Sequence, residues 1–327
     1  MSLDFAAAAY SPDPLPCLSK RNATLQMLQQ IPCDAFKNEC WAFVALSPSK
    51  IVFSVRGTRT SAQLIIELIE TMTAPKKSFP AGGSVQHYFY ASLDALWSVG
   101  FGRKLRELKM LNPQLPILFT GHSLGGAIAS LASARFAFEN RDLVKSSEIF
   151  LVTFGQPRVG NIGYANAHDR LVPNSFRIVH RYDLVAHLPY CYESLLSPHR
   201  CISLRNHGPF HHGTEICGHP FGEDDHCSNA YYVHFGVVDH FQYFGRDVDA
   251  YGTRGMRSGE NADERPTVQR EQEEMRKQQN NEEGERNLEK KGRKPPNAKR
   301  KKNHQLQCFP FTFIRKKKLR NEGSKWP

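Results

Sequence analysis

LPILFTGHSLGGAIASLASARFAF, Leu115–Phe138, carries the strongest structural signal in the chain. It begins with a short apolar run, Leu115–Thr120, which predicts a buried strand. The segment Gly126–Phe138 is rich in alanine, the residue with the highest helix propensity, and predicts a helix. The glycine-rich segment between them leaves room for only a tight turn. The stretch therefore predicts a strand, a sharp turn and a helix in succession.

The turn contains the pattern G-x-S-x-G, formed by Gly121-His122-Ser123-Leu124-Gly125. Between a strand and a helix this pattern predicts a nucleophile elbow, whose serine occupies a strained backbone position. The two flanking glycines let strand and helix approach without collision. The amide of Leu124 lies at the helix N-terminus, where the helix dipole favours a developing anion. We predict Ser123 as a nucleophile; an ordinary glycine-rich turn is the structural alternative.

The surrounding sequence alternates between strand-like and helical segments. Tyr90 to Leu111 has apolar residues at helical spacing, and Asn112-Pro113 ends it. This alternation predicts an α/β fold with a mainly parallel central sheet and helices on both faces. The further predicted strands are Ala42–Leu46, Lys50–Val55, Ile149–Phe154 and Phe176–Val179.

Composition divides the chain near Gly252. Residues 1–250 hold 22 Lys and Arg against 21 Asp and Glu, whereas residues 251–327 hold 21 against 11. The second part has too few apolar residues to form a core. We predict a catalytic domain over 1–250 and a disordered, low-complexity basic tail over 251–327. Aromatic residues beside Arg315–Lys318 suit this tail to anionic surfaces; a solvated tail without a partner is the alternative, and nucleic-acid binding is the less favoured hypothesis.

Cysteine usage and the absence of apolar segments bear on location. No run of about 18 apolar residues exists, so we predict no transmembrane segment. Met1–Tyr10 does not resemble a signal peptide. Four of the eight cysteines lie between Cys191 and Cys227, and Asn22-Ala23-Thr24 is a glycosylation sequon. Dense cysteine usage favours a secreted or lumenal protein, with an intracellular form as the alternative.

The same segment, Cys191–Cys227, also contains histidines that suggest a zinc site. The spacing of Cys201, Cys217 and Cys227 fits no compact zinc template. Disulfides explain these cysteines better, so we predict no bound metal and no cofactor.

A serine nucleophile needs a histidine as base and an acid that orients the histidine. In the α/β-hydrolase fold the acid follows the serine along the chain, and the histidine follows the acid. Asp183 is attractive because it follows the predicted strand Phe176–Val179. His240 comes last and is predicted to lie in a loop before Phe241–Phe244. Spacing alone does not choose among the candidate acids Asp169, Asp183, Asp224, Asp225 and Asp239, or among the candidate bases His180, His187, His207, His211, His212, His219, His226, His234 and His240.

Several motifs, in the same order along the chain, resemble those of the class 3, fungal-type lipase family over about residues 15 to 247. They are Val55–Thr58, Gly121–Gly126, Thr153–Asn161, Arg181–Pro189 and His211–Ile216. The resemblance implies an α/β-hydrolase fold with Ser123 as nucleophile, Asp183 as acid and His240 as base. It implies an oxyanion hole formed by Thr58 with the amide of Leu124.

The resemblance also implies a lid and a substrate class. Arg59 to Met72 stands where the family carries a mobile lid, although the tryptophan often seen there is missing. We therefore expect a serine carboxylic-ester hydrolase, similar to a triacylglycerol lipase, that meets lipid esters at a lipid–water interface. The alternatives are an esterase, a phospholipase, and a hydrolase-fold protein that binds lipid without catalysis.

Overall fold

The computed structural model describes residues 1–32, 39–58, 75–180, 182–188 and 237–256. All of them belong to one compact unit, Met1–Asp263. Three sequence predictions fall outside the described residues: the lid segment Arg59–Met72, the cluster Cys191–Cys227, and nearly all of the basic tail.

A six-stranded sheet forms the centre of the unit. In chain order the described strands are β1 (Thr24–Pro32), β2 (Glu39–Ser47), β3 (Lys50–Val55), β4 (Lys77–Ser78), β5 (Ser84–Val85), β6 (Ile117–His122), β7 (Ile149–Phe154), β8 (Asn174–Ile178), β9 (Gln242–Tyr243) and β10 (Arg246–Asp247). The order in the central sheet is β1-β2-β3-β6-β7-β8. The strands β3, β6, β7 and β8 are parallel, and β2 and β1 continue the sheet antiparallel. The α/β class is thus confirmed, with a mixed sheet.

Helices cover both faces of this sheet. The helices are α1 (Ser2–Ala8), α2 (Leu15–Ser19), α3 (His87–Ser98), α4 (Phe101–Leu111), α5 (Leu124–Glu139), α6 (Ile162–Leu171), α7 (Val237–Phe241) and α8 (Val248–Thr253). Successive side chains of a strand point to opposite faces. Accordingly, Ile51 and Phe53 join the core formed with α3 to α6, whereas Val52 joins the core formed with α1, α2 and α8.

The single helix predicted over Tyr90 to Leu111 is wrong in one respect. The structure has two helices there, because Gly100 adopts a φ of 104° and ends the first. A positive φ is unfavourable for residues with a Cβ, so glycine suits this break. The pattern looked continuous because Leu96 and Phe101, on either side of the break, are both buried in the same core.

The first helix, α1, is buried against the sheet and against α8. The Ser54 hydroxyl donates to the carbonyl of Phe5 at 2.9 Å. Gly252 lies so close to α1 that a Cβ there would collide with the carbonyl of Ala7. Met256 is also buried, so the described fold runs past residue 250. The division into a catalytic domain and a basic tail stays a prediction.

The described part of the chain contains no helix both long and apolar enough to cross a membrane. It contains one free cysteine, the buried Cys17. Cys40 is disulfide-bonded.

A buried lysine braces the connection from α4 to β6. The Lys109 ammonium donates to the carbonyls of Pro113 and Leu115 at 2.7 and 3.0 Å, and pairs with Glu148 at 2.9 Å. Lys109→Met removes the donor from all three acceptors. We expect this change to lower the free energy of unfolding by about 3 kcal/mol, measured by urea denaturation.

Lys104→Met is the matched control, since Lys104 lies on the same helix and pairs with Glu107 at 3.1 Å on the surface. An exposed pair contributes little, so we expect a loss below about 0.5 kcal/mol. Equal losses for the two variants would contradict the bracing role of Lys109.

Candidate active site

Ser123 occupies the predicted turn between β6 and α5. Its φ of 57° and ψ of −130° place it in a strained conformation. Its amide donates to the carbonyl of Phe154 at 2.9 Å, which fixes the turn to the end of β7. A Cβ on Gly121 would collide with the backbone of Gly125, and one on Gly125 would collide with the carbonyl of Val55. Only glycine therefore fits on either side of the serine.

Asp183 and His240 form a buried pair. The His240 Nδ1 lies 2.9 and 3.0 Å from the two carboxylate oxygens of Asp183. The Tyr243 hydroxyl donates to the same carboxylate at 2.6 Å, and the Val185 amide donates to it at 2.9 Å. The side chains of Asp183 and His240 are 0% and 1% exposed. The carboxylate is therefore saturated with donors and shielded from water.

These donors determine the charge of Asp183. Burial alone would raise the pKa of its carboxyl group. The attraction of His240 and the hydrogen bonds from His240 and Tyr243 outweigh burial and hold the pKa well below its usual value. Asp183 is therefore an ionised acceptor at neutral pH.

Gly155 brings the elbow and the buried pair together. It follows Phe154, whose carbonyl accepts from Ser123, and has a φ of 58°. A Cβ on Gly155 would lie 2.7 Å from an Asp183 oxygen and 2.8 Å from the His240 Nδ1. Phe154, the last residue of β7, thus binds the backbone of Ser123, and the next residue, Gly155, lies against the pair of Asp183 and His240.

The second ring nitrogen of His240, Nε2, is buried and makes no hydrogen bond to the part of the chain that the structure describes. The Ser123 side chain, in a residue only 2% exposed, forms no hydrogen bond to it in the same ranges. The arrangement leaves one imidazole nitrogen anchored by a carboxylate and the other available.

The other described candidates have different partners, and the His180 Nδ1 lies 3.9 Å from the Asp239 carboxylate. The His187 Nδ1 donates to the backbone carbonyl of Asp183 at 2.6 Å, and the His180 Nδ1 donates to the backbone carbonyl of Asp239 at 3.1 Å. His240 itself lies in α7, so the predicted loop is wrong there. Asp169 lies on α6. The remaining candidates fall outside the described residues: Asp224, Asp225, His207, His211, His212, His219, His226 and His234.

Two buried arginines hold the backbone that follows Asp183. The Arg158 guanidinium donates to the carbonyl of His187, and the Arg177 guanidinium donates to the carbonyl of Ala186. The Arg177 Nε also donates to the carbonyl of Gln156 at 2.9 Å. These arginines and Tyr243 are not among the site residues predicted from the sequence. Arg158 lies within the quoted motif Thr153–Asn161, which was the available signal.

Of the predicted oxyanion-hole residues, Leu124 adjoins the serine in sequence, and Thr58 adjoins Gly57, which approaches the serine. Leu124 is the first residue of α5, so its amide is at the helix N-terminus. Gly57 approaches the elbow so closely that a Cβ there would lie 3.1 Å from the Ser123 Cβ. Thr58 follows Gly57 directly and is partly exposed. Within the described residues no group of His, Cys, Asp and Glu is arranged to bind a metal ion.

The mixed sheet, the elbow and the buried acid–histidine pair are features of the α/β-hydrolase class. The family model described as Lipase (class 3) matches residues 52–193. A lipase of Caenorhabditis elegans is 35% identical over 291 residues, which cover 78% of this chain and 80% of that protein. The chain belongs to the class 3 lipase family. It is accordingly a carboxylic-ester hydrolase of the lipase type.

Fungal lipases share the family and the fold. A lipase of Rhizomucor miehei is 33% identical over 133 residues, which cover 41% of this chain and 36% of that protein. The solved structure of Rhizomucor miehei triacylglyceride lipase superposes with a TM-score of 0.61 at 24% identity, covering 76% of this chain and 93% of the fungal chain. The predicted α/β-hydrolase fold is therefore confirmed.

Proposed function

We propose that the chain hydrolyses lipid esters through an acyl-enzyme on Ser123, with His240 as the general base and Asp183 as the acid that orients it. One observation carries this proposal. The buried Asp183 carboxylate binds the Nδ1 of His240, and the Nε2 has no partner among the described residues, at a strained serine turn. An imidazole held in this tautomer can accept a proton at Nε2.

The reaction follows the chemistry of serine hydrolases. The Ser123 hydroxyl attacks the ester carbonyl while His240 takes its proton, and His240 then gives that proton to the leaving alcohol. Water, activated by His240, hydrolyses the acyl-enzyme and releases the acid. The ionised Asp183 stabilises the imidazolium that forms in both steps. No metal or organic cofactor takes part in the proposal.

The amides of Leu124 and Thr58, with the Thr58 hydroxyl, are proposed to bind the oxyanion. The close approach of Gly57 to Ser123 supports this, because it brings the Thr58 backbone to the elbow. Removing one oxyanion donor typically lowers kcat by about 10²–10³-fold.

Acylglycerols at a lipid–water interface are the proposed substrates. The name of the Rhizomucor miehei relative, a triacylglyceride lipase, supports this class. Exposed apolar side chains also lie beside the pair: Tyr182, before Asp183, is 38% exposed, and Val238, near His240, is 51% exposed. Such a rim is suited to contact a lipid surface.

Two measurements test this proposal. Hydrolysis of an emulsified triacylglycerol is compared with hydrolysis of a short soluble ester, and a lipid-like phosphonate is used to label the enzyme. We expect cleavage of the emulsion and a single phosphonyl adduct on the peptide that contains Ser123. Cleavage of the soluble ester alone would favour an esterase, and cleavage of phospholipid vesicles alone a phospholipase. A folded protein that is neither active nor labelled would contradict the proposed catalysis.

The disulfide at Cys40 supports a secreted or lumenal location for this activity. Structural disulfides persist mainly in oxidising compartments.

A further inference from the structure

His122, the residue directly before Ser123, uses both ring nitrogens inside the protein. Its Nε2 lies 2.7 Å from the backbone carbonyl of His240, and its Nδ1 lies 2.7 Å from the Tyr10 hydroxyl. A carbonyl oxygen only accepts, so Nε2 carries the proton and Nδ1 accepts from Tyr10. The elbow is therefore joined to the backbone of His240 on one side and to the segment after α1 on the other.

The rings of the two histidines also pack together, with centroids 4.6 Å apart and planes 31° apart. His122 is fully buried. Burial lowers the pKa of His122 to about 3, and repulsion from His240 acts in the same direction. The neutral ring keeps Nδ1 as an acceptor for Tyr10 and places no positive charge beside His240.

The Tyr10 hydroxyl has a further neighbour in the loop after β3. A Cβ on Gly57 would collide with the Tyr10 oxygen and with the backbone carbonyl of His122. The backbone of Gly57 therefore lies against both the Tyr10 oxygen and the His122 carbonyl. Tyr10 is 1% exposed, so this hydroxyl is enclosed where the elbow, the Gly57–Thr58 loop and the segment after α1 meet.

We propose that Tyr10 and His122 are positioning residues that fix the His240 backbone and the Gly57–Thr58 loop in place relative to Ser123. The inference rests on the proposed roles of Ser123, His240 and Thr58. Both residues act through these neighbours, since their own polar atoms are bound to the protein. The chemistry therefore depends on a tyrosine far from the elbow in sequence.

Tyr10→Phe tests the hydroxyl with little change in shape. We expect kcat on a short soluble ester to fall about 10-fold with KM nearly unchanged, because small misplacements of reacting groups lower the rate strongly. His122→Phe removes both hydrogen bonds and is expected to lower kcat about 10²-fold. His122→Gln keeps an amide donor for the His240 carbonyl and should recover part of that loss. All rates are divided by the number of sites titrated with the phosphonate, which removes misfolded protein from the comparison.

Tyr164→Phe is the matched control, because Tyr164 is equally buried and its hydroxyl binds the Ser130 hydroxyl at 3.0 Å, on the α5–α6 side of the core. We expect Tyr164→Phe to lower stability without changing kcat per titrated site. The double variant Tyr10→Phe/His122→Phe should lose no more than His122→Phe alone, since coupled residues are not additive.

Two results would overturn the positioning role: kcat per titrated site within about twofold of wild type for both Tyr10→Phe and His122→Phe, or losses that add in the double variant. A wild type that the phosphonate does not label at Ser123 contradicts the proposed function instead. Normal labelling with unchanged variants contradicts only the positioning role.

Discussion

Ser123→Ala is expected to lower kcat for ester hydrolysis by about 10⁶-fold, the scale seen when a serine hydrolase loses its nucleophile. The variant cannot form an acyl-enzyme, and only binding and oxyanion stabilisation remain to assist direct attack by water. The rate is measured on a short soluble ester, so that lipid binding does not enter the comparison. The phosphonate should leave the variant unlabelled.

Ser133→Ala is the control for this experiment, because Ser133 is a buried serine on the helix that follows the elbow. Its hydroxyl donates to the carbonyl of Ser130 at 2.8 Å and has no part in the proposed chemistry. We expect its kcat to stay within about twofold of wild type. If Ser123→Ala kept more than about a tenth of the wild-type kcat, an acyl-enzyme on this residue would be ruled out as the main route.

Asp183→Asn is expected to lower kcat by about 10⁴-fold while the protein stays folded. The amide nitrogen can donate to the His240 Nδ1, which moves the ring proton to Nε2 and removes the base that Ser123 needs. The neutral amide also cannot stabilise the imidazolium. The measurement is kcat on the soluble ester, with circular dichroism to verify folding.

Asp239→Asn is the matched control, because Asp239 is another of the candidate acids that sequence spacing left open and it directly precedes His240 in the chain. The Asp239 carboxylate accepts from the Tyr182 amide at 3.2 Å. We expect this variant to retain kcat within about threefold, since it leaves the pair of Asp183 and His240 intact. A larger loss for Asp239→Asn than for Asp183→Asn would contradict the assignment of the acid.

Local patterns predicted the inner strands well. The bounds of β3 and β7 agree with the sequence prediction, since both are short, mostly apolar runs in which no residue is exposed. The edge strand β1 was not predicted, because none of its residues is buried and uncharged glutamines interrupt its apolar residues. The helix α1 was missed for the opposite reason: nearly every residue in it is buried, so it has no polar face to give a periodic pattern.

The residues of the candidate site also differ in how far a local sequence pattern predicts them. Ser123 follows from a local motif, since strand, glycine turn and helix are contiguous in sequence. The choice of Asp183 and His240 came from the family resemblance. Their pairing depends on a contact across 57 positions, which no local pattern encodes. Tyr10 and His122 are joined across 112 positions, so no local pattern indicates that they belong to one network.

The packing of α1 against α8 has a consequence for synthesis on the ribosome. The Tyr251 hydroxyl donates to Asp4 at 3.1 Å, across 247 positions, so α1 cannot complete its packing until α8 has been synthesised. Large domains expose apolar surface while such partners are missing, which makes nascent chains prone to aggregation. A nascent chain that has reached only the elbow already has its serine but neither His240 nor α8, the last helix that the structure describes. Hydrolysis is therefore withheld until translation of this region is nearly finished.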